Sequence, residues 1–187
     1  MSAQHTARLE LIPITLPMVE AVLGGDRQRA EEIVGAAFPE DWPGEQLIAR
    51  AFPCSLDAIR ADPSLRLWGD RLLVTRSGPR RVVGSVVFHG YPLDGVAEVG
   101  YGVEEASQHL GYATEGTRAC VAWALEQPGI RTITATTFPW HRASLRVIEK
   151  VGMRRIDTRE HETLGELWVF AVHRERASTA DLVPAAF

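Results

Sequence analysis

Cysteine is nearly absent from this 187-residue chain, which has two, Cys54 and Cys120. Two thiols close at most one bridge, and neither sits in a CxxC or Cys/His cluster of zinc-binding spacing. They read as buried free thiols in a reducing compartment, and no metal site is expected. Long apolar runs are missing too. In "MSAQHTARLELIPITLPMVEAVL" no basic segment leads, and Glu10, Pro13, Pro17 and Glu20 break the apolar stretch, so it does not read as a leader. Elsewhere no run reaches the ~18 apolar residues of a membrane span. A positive surplus is also lacking: 20 Lys and Arg stand against 24 Asp and Glu, a net charge of −4. That argues against a nucleic-acid footprint and suits, mildly, a cationic or amine substrate. The expectation is a cytoplasmic protein with neither nucleic-acid nor membrane partners.

Hydrophobic residues make up 45% of the chain and charged residues 24%, which supports one domain with a full core. "RLELIPI" alternates like a strand up to Pro13. "LPMVEAVLGG" reads as a short helix closed by Gly24 and Gly25, and "DRQRAEEIVGAAF" as a second one capped by Asp26. "PEDWPGEQ", around Trp42, is rich in turn residues. "SLDAIRADP" reads as a helical turn or two, from Ser55 to a stop at Pro63. Beyond Trp68, valine and aromatics dominate. "LWGDRLLVTR", "RVVGSVVFHGY" and "VAEVGYGV" read as three strands joined by turns at "SGPR" and "PLDG".

From Tyr112 to Gln127 the period is helical. Ala113, Thr117, Cys120 and Ala124 form a face small enough to lie close on a sheet. "RTITATTF" follows as a strand and "RASLRVIEKVG" as a helix ending at Gly152. On that helix Ser144, Val147, Ile148 and Val151 share one face. "MRRIDTREHE" and "LGELWVFAVHRE" complete seven strands, and "RASTADLVPAAF" reads as a tail. The fold class is α+β, a mostly antiparallel mixed sheet with helices on both faces.

One stretch carries chemistry. "QHLGYATEG", Gln108 to Gly116, joins a strand to a helix through a glycine turn. The first amides of a helix have no internal partner, and their dipoles leave partial positive charge there. Small residues such as Gly111 and Ala113 let an anion approach. On the loop alone, a plain tight turn with Gly111 at positive φ explains the residues equally well. A Walker loop is excluded because no Gly-Lys-Ser/Thr occurs. A dinucleotide fingerprint is excluded because "GYGVEE" has Glu105 where the third glycine belongs.

"QHLGYA" resembles the Arg/Gln-x-x-Gly-x-Gly/Ala loop of the Gcn5-related N-acetyltransferase (GNAT) superfamily. "GYGVEEASQHLGYATEG" is similar to the strand, loop and helix of the branch that includes ribosomal-protein N-terminal acetyltransferases. "RASLRVIEKVGM" resembles that branch's second hallmark, a helix carrying Ala-Ser and ending in Glu-Lys-x-Gly-Met/Phe. The resemblance spans roughly residues 8 to 173 and is dense from Val96 to Met153. It implies the acyl-CoA N-acyltransferase fold in a single domain over residues 1–187, with a core at 8–175 and a tail at 176–187. It also implies acetyl transfer from acetyl-CoA to a primary amine, on a protein N-terminus or a small molecule. The amine attacks directly in a ternary complex without metal.

Residue roles follow from the same resemblance. Leu110, Gly111, Tyr112, Ala113 and Thr114, with Gln108 and His109 leading in, take the pyrophosphate. Tyr101 and Val103 pair with the pantetheine arm, where the strand splays from its neighbour. A bulge in that strand offers an amide to the thioester carbonyl. Glu98, a carboxylate between Ala97 and Val99, is the candidate base and part of the acceptor site. Ser144, on an otherwise apolar helix face, matches a serine near the coenzyme sulfur. His141 replaces the usual Asn that contacts pantetheine, and His109 replaces a usual glycine. Ile148 stands where many members have an acidic tyrosine. Trp42, Phe38, Phe52 and Trp68 are candidate walls of the acceptor pocket. The protein is expected as a monomer or homodimer, and a catalytically silent acyl-CoA-binding module is the alternative reading.

Overall fold

Alternating burial builds the sheet. In Leu9–Pro13 and Thr132–Thr137, buried side chains alternate with partly exposed ones, as a half-covered strand requires. Val82–Phe88 is buried throughout, because helices cover both of its faces. The structure, a computed structural model, describes residues 3–40, 56–163 and 165–174. Its strands are β1 (Gln4–His5), β2 (Leu9–Pro13), β3 (Arg71–Thr75), β4 (Val82–Phe88), β5 (Val96–Val103), β6 (Thr132–Thr137), β7 (Arg154–His161) and β8 (Gly165–His173). They form one sheet in the order β1-β2-β3-β4-β5-β6-β8-β7. Every neighbouring pair is antiparallel except β5 and β6. The strand beyond the expected seven is the two-residue β1 at the edge.

The described helices are α1 (Leu16–Leu23), α2 (Arg27–Val34), α3 (Leu56–Ala61), α4 (Pro63–Arg66), α5 (Tyr112–Glu126) and α6 (Arg142–Val151). Asp26 caps α2 as expected, accepting the Arg29 amide. The helix α3 stops at Ala61, ahead of Pro63 as expected, and Pro63 has a second role. It opens α4 behind the cap Asp62, since a first-turn proline forfeits no helix bond. Met18, Val19, Ala30, Val34 and Ile59 from α1–α3 bury Leu72, Val74 and Val87 on one face of the sheet. On the other face α5 and α6 bury Leu73, Val86, Phe88, Val99 and Ile133 through Cys120, Val121, Ala124 and Ile148. The close approach of α5 rests on Gly116, where a Cβ would stand 2.5 Å from the Leu73 side chain. Burial pushes the Cys120 thiol up to about 12, against the pull of Arg71, so it is inert packing. Ser55, Trp42, Phe52, Cys54 and the tail at 176–187 lie outside the described residues.

Beneath β4 sits a buried polar group. Asp70 is 1% exposed and accepts the Phe88 amide at 2.7 Å. Burial pushes its carboxyl well above the usual range, and the hydrogen bond and Arg71 pull weakly the other way. Below the unfolded carboxyl's pKa both states hold the proton. Above it the unfolded chain ionises first, so stability falls as pH rises toward the folded value. Asp70→Asn keeps an acceptor for Phe88 and removes this titration. Urea midpoints taken between mildly acid and neutral pH should therefore fall less steeply in the variant than in the parent.

Candidate active site

The site begins where two neighbouring strands separate. β5 pairs with β6 at Val96, Ala97 and Glu98 and nowhere beyond. Its pairing with β4 continues in unbroken register from Val99 to Val103. The expected bulge in β5 is therefore not found: the register with β4 is constant, and strand divergence alone opens the sheet. His89 N–H donates to Glu98 O at 3.1 Å, and Glu104 N–H donates to Val83 O at 3.0 Å. Backbone groups alternate in direction along an antiparallel pair. Hence those of Glu98, Gly100 and Gly102 face β4, while those of Val99, Tyr101 and Val103 face the gap left by β6. Gln108 reaches back to donate to Val103 O at 3.2 Å.

The glycine loop follows a 3-10 turn at Glu105–Ser107, where the Glu104 carboxylate accepts from the Ala106 amide and the Ser107 hydroxyl. Gly111 caps α5 with φ of 85° and offers no side chain to the helix amides. The N–H groups of Tyr112, Ala113 and Thr114 are thus left for a ligand. The acidic residue of this first turn, Glu115, faces away. It accepts from Thr6 Oγ1 at 2.6 Å, from Arg8 N at 2.8 Å and from Arg8 Nε at 2.7 Å. Burial would raise its carboxyl, but these hydrogen bonds and the Arg8 charge hold it below the usual range. Arg8 also donates to Leu110 O at 2.8 Å and lies over the Tyr112 ring, 4.8 Å from its centre. The N-terminal strand pair thereby clips the loop in place.

His109 has φ of 61°, which explains why glycine is the usual residue there. His109→Gly is expected to raise stability by about 1 kcal/mol, seen as a higher urea midpoint, because the left-handed strain goes.

Across the gap lies α6. His141 caps it, its Nδ1 accepting the Ser144 amide at 3.2 Å. Ser144 is buried, and its Oγ lies 2.9 Å from the Tyr101 hydroxyl, which is also 3.1 Å from Ser144 O. Burial lifts Tyr101 to about 12, partly countered by the Ser144 contact, so the phenol stays protonated. On the opposite face of β5, Glu98 Oε1 accepts from Thr136 Oγ1 at 2.7 Å and lies 3.9 Å from His89 Nδ1.

The glycine loop, β5 and α6 line one cavity of about 730 Å³. Tyr101, Val103, Gln108, His109, Gly111, Tyr112, Ala113, Thr114, His141 and Ser144 are all in its wall. Leu110 is exposed and stays outside it, contributing the carbonyl held by Arg8. Glu98 is not in the wall; His89 stands there instead. Phe38 and Trp68 are packed in the two cores and are not in this wall. Sequence reasoning missed His89, the Tyr101–Ser144 bond, and Arg146 and Lys150, two cations of α6 in the wall. The cavity wall has no carboxylate among the described residues, although the chain is net acidic.

The family model described as acetyltransferase (GNAT) domain matches residues 8–154. The chain belongs to the GNAT acetyltransferase family. It is an acetyl-CoA-dependent acyltransferase. A relative, the uncharacterized N-acetyltransferase YjdG of Bacillus subtilis (strain 168), is 25% identical over 149 residues, 79% of this chain and 87% of its own. A GNAT acetyltransferase from Bacillus anthracis superposes with a TM-score of 0.63 at 19% identity, covering 94% of this chain and all of that one. RimL, a ribosomal L7/L12 alpha-N-protein acetyltransferase solved with coenzyme A, gives 0.61 at 16%, covering 92% and 98%. These two likenesses share the GNAT fold. The uncapped α5 amides, the free β5 edge and the cationic wall of this chain all fit an extended, phosphate-bearing acyl carrier.

Proposed function

We propose that this protein transfers the acetyl group of acetyl-CoA to a primary amine, on a protein N-terminus or a small molecule, by direct attack in a ternary complex. The observation that carries the reading is one cavity that joins the α5 amides, the gap-facing backbone of Tyr101 and Val103, of which Val103 O also accepts from Gln108, and Ser144. Acetyl-CoA supplies an activated thioester when bound. The amides of Tyr112, Ala113 and Thr114 would hold its pyrophosphate, with Arg146 and Lys150 adding positive charge. Tyr101 and Val103 would pair with its pantetheine amides as a missing β6 would. Ser144 Oγ, oriented by Tyr101, stands ready to protonate the departing sulfur, and Glu98 supplies the carboxylate that assists removal of the amine proton.

The acceptor class is supported by the name of RimL, which acts on a protein α-amine. An amine panel tests the reading: an N-terminal-serine peptide, an N-terminal-alanine peptide, spermidine and free amino acids, with thiol release as signal. Transfer to at least one is expected. Thermal shift accompanies it, since ligand at about 100 times its Kd adds about 2.7 kcal/mol. Binding without thiol release from any amine identifies the silent acyl-CoA-binding module instead, and no shift at saturating acetyl-CoA overturns both.

A further inference from the structure

The amine must lose a proton before it can attack, and the group that receives the proton must touch the cavity. Glu98 does not touch it. His89 does, on the side of the sheet away from α5 and α6, together with Ser85, Val87 and Gly100. The His89 ring is held between two features of β5. Its Nδ1 lies 3.9 Å from Glu98 Oε1, near enough for charge attraction but beyond hydrogen-bond distance, and its Nε2 lies over Gly100, 3.3 Å from where a Cβ would stand. Any larger residue at position 100 would therefore press on that nitrogen. Glu98 itself is steadied by the Thr136 hydroxyl. The other two histidines in the wall have different places: His141 Nδ1 is used in capping α6, and His109 belongs to the glycine loop. His89 Nε2 has no hydrogen-bond partner among the described residues.

We infer that His89 is the catalytic base of the acetyl transfer and that Glu98 is its positioning residue; this rests on the acetyltransferase reading above. The carboxylate favours the tautomer with the proton on Nδ1, which leaves the Nε2 lone pair facing the cavity. The acceptor arrives as an ammonium. Its nitrogen gives one proton to His89 Nε2 and forms a bond to the thioester carbonyl carbon. The carbon–sulfur bond breaks, and the sulfur leaves with its electron pair. The second proton lost by the nitrogen balances the one the sulfur takes, giving amide and free thiol. The imidazolium, facing Glu98, then returns its proton to solvent. Gly100 gives the ring its seat, and the opening between β5 and β6 gives Nε2 its line to the thioester.

The test uses the full chain and the best acceptor of the amine panel. His89→Ala should lower kcat about 100-fold with KM for acetyl-CoA changed less than about twofold, and added imidazole should recover at least about tenfold. His89→Gln, closer in size and without a basic nitrogen, should show the same loss; an unchanged thermal shift with acetyl-CoA certifies its fold. Histidine nitrogen NMR of the ligand-free protein gives a second readout. His89 should appear as the Nδ1–H tautomer, and Glu98→Gln should convert it to a mixture. Turnover in His89→Gln within about threefold of the parent overturns the inference alone, as does a histidine spectrum indifferent to Glu98→Gln. A parent protein that acetylates no amine overturns the enzymatic reading, and this one with it.

Discussion

Gly84→Ala is expected to lower stability by about 3 kcal/mol and to abolish the acetyl-CoA thermal shift. Gly84 lies opposite Val103 in the β4–β5 pair, and a Cβ there would stand 2.2 Å from Gly102 O and 3.1 Å from Val103 Cα. Both neighbours are backbone, so no rotamer change relieves the clash. The strands have to part at Gly102 and Val103, at the point where β5 is already unpaired on its other side. That displaces the edge proposed to hold pantetheine, so stability and binding fall together. Gly100→Ala is the contrasting control. Its Cβ meets only His89 Nε2 at 3.3 Å and Val87 Cγ2 at 3.5 Å, both side chains, so the fold should survive. Urea unfolding and thermal shift on the two variants separate a backbone clash from a side-chain one.

Ser144→Ala is expected to lower kcat about 100-fold while the affinity for acetyl-CoA stays within about twofold. The Tyr101 hydroxyl lies 2.9 Å from Ser144 Oγ, and burial keeps that phenol protonated through the neutral range. With Tyr101 donating to Oγ, the serine's own proton is left to face the cavity. Alanine removes that proton, but Tyr101 still has Ser144 O at 3.1 Å, so its hydroxyl is not stranded. Tyr101→Phe should therefore cost about tenfold in kcat, through orientation alone. Single-turnover thiol release against equilibrium binding resolves the two quantities. Equal losses in binding and turnover would remove Ser144 from the chemistry.

The parts of this site that could be read in advance are local. Gly111 before a helical period, His141 before Arg142–Val151, and the alternation around Glu98 each reflect neighbours within a few positions. The resemblance of two such blocks then supplied what neither block held alone. The His89–Glu98 contact could not be read this way. Counting back from the turn at Asp94 and Gly95, the Leu93–Val96 bridge would place Tyr91 opposite Glu98. Residues 90–92 do not continue that ladder, Gly90 has φ of 87°, and His89 is the residue that arrives opposite Glu98. Turn irregularity of this kind leaves little trace in side-chain pattern. The Arg8–Glu115 clip was hidden for another reason: it joins residues 107 positions apart. The anticipated bulge is replaced by plain divergence of β5 from β6, because the ladder with β4 holds its register.

That divergence also bears on solubility. A strand with unpaired amides invites other chains, and proteins usually shield such edges with charge, proline or bulges. Here the unpaired length of β5 lies inside the sheet, in a wedge that closes at Glu98 and is walled by Tyr112 on α5 and Val147 on α6. A foreign polypeptide strand would bring side chains on both faces into a slot already bounded by helices. A slender carrier with amide groups and no side chains needs no such room. The same geometry that leaves the edge open to a coenzyme arm withholds it from aggregation.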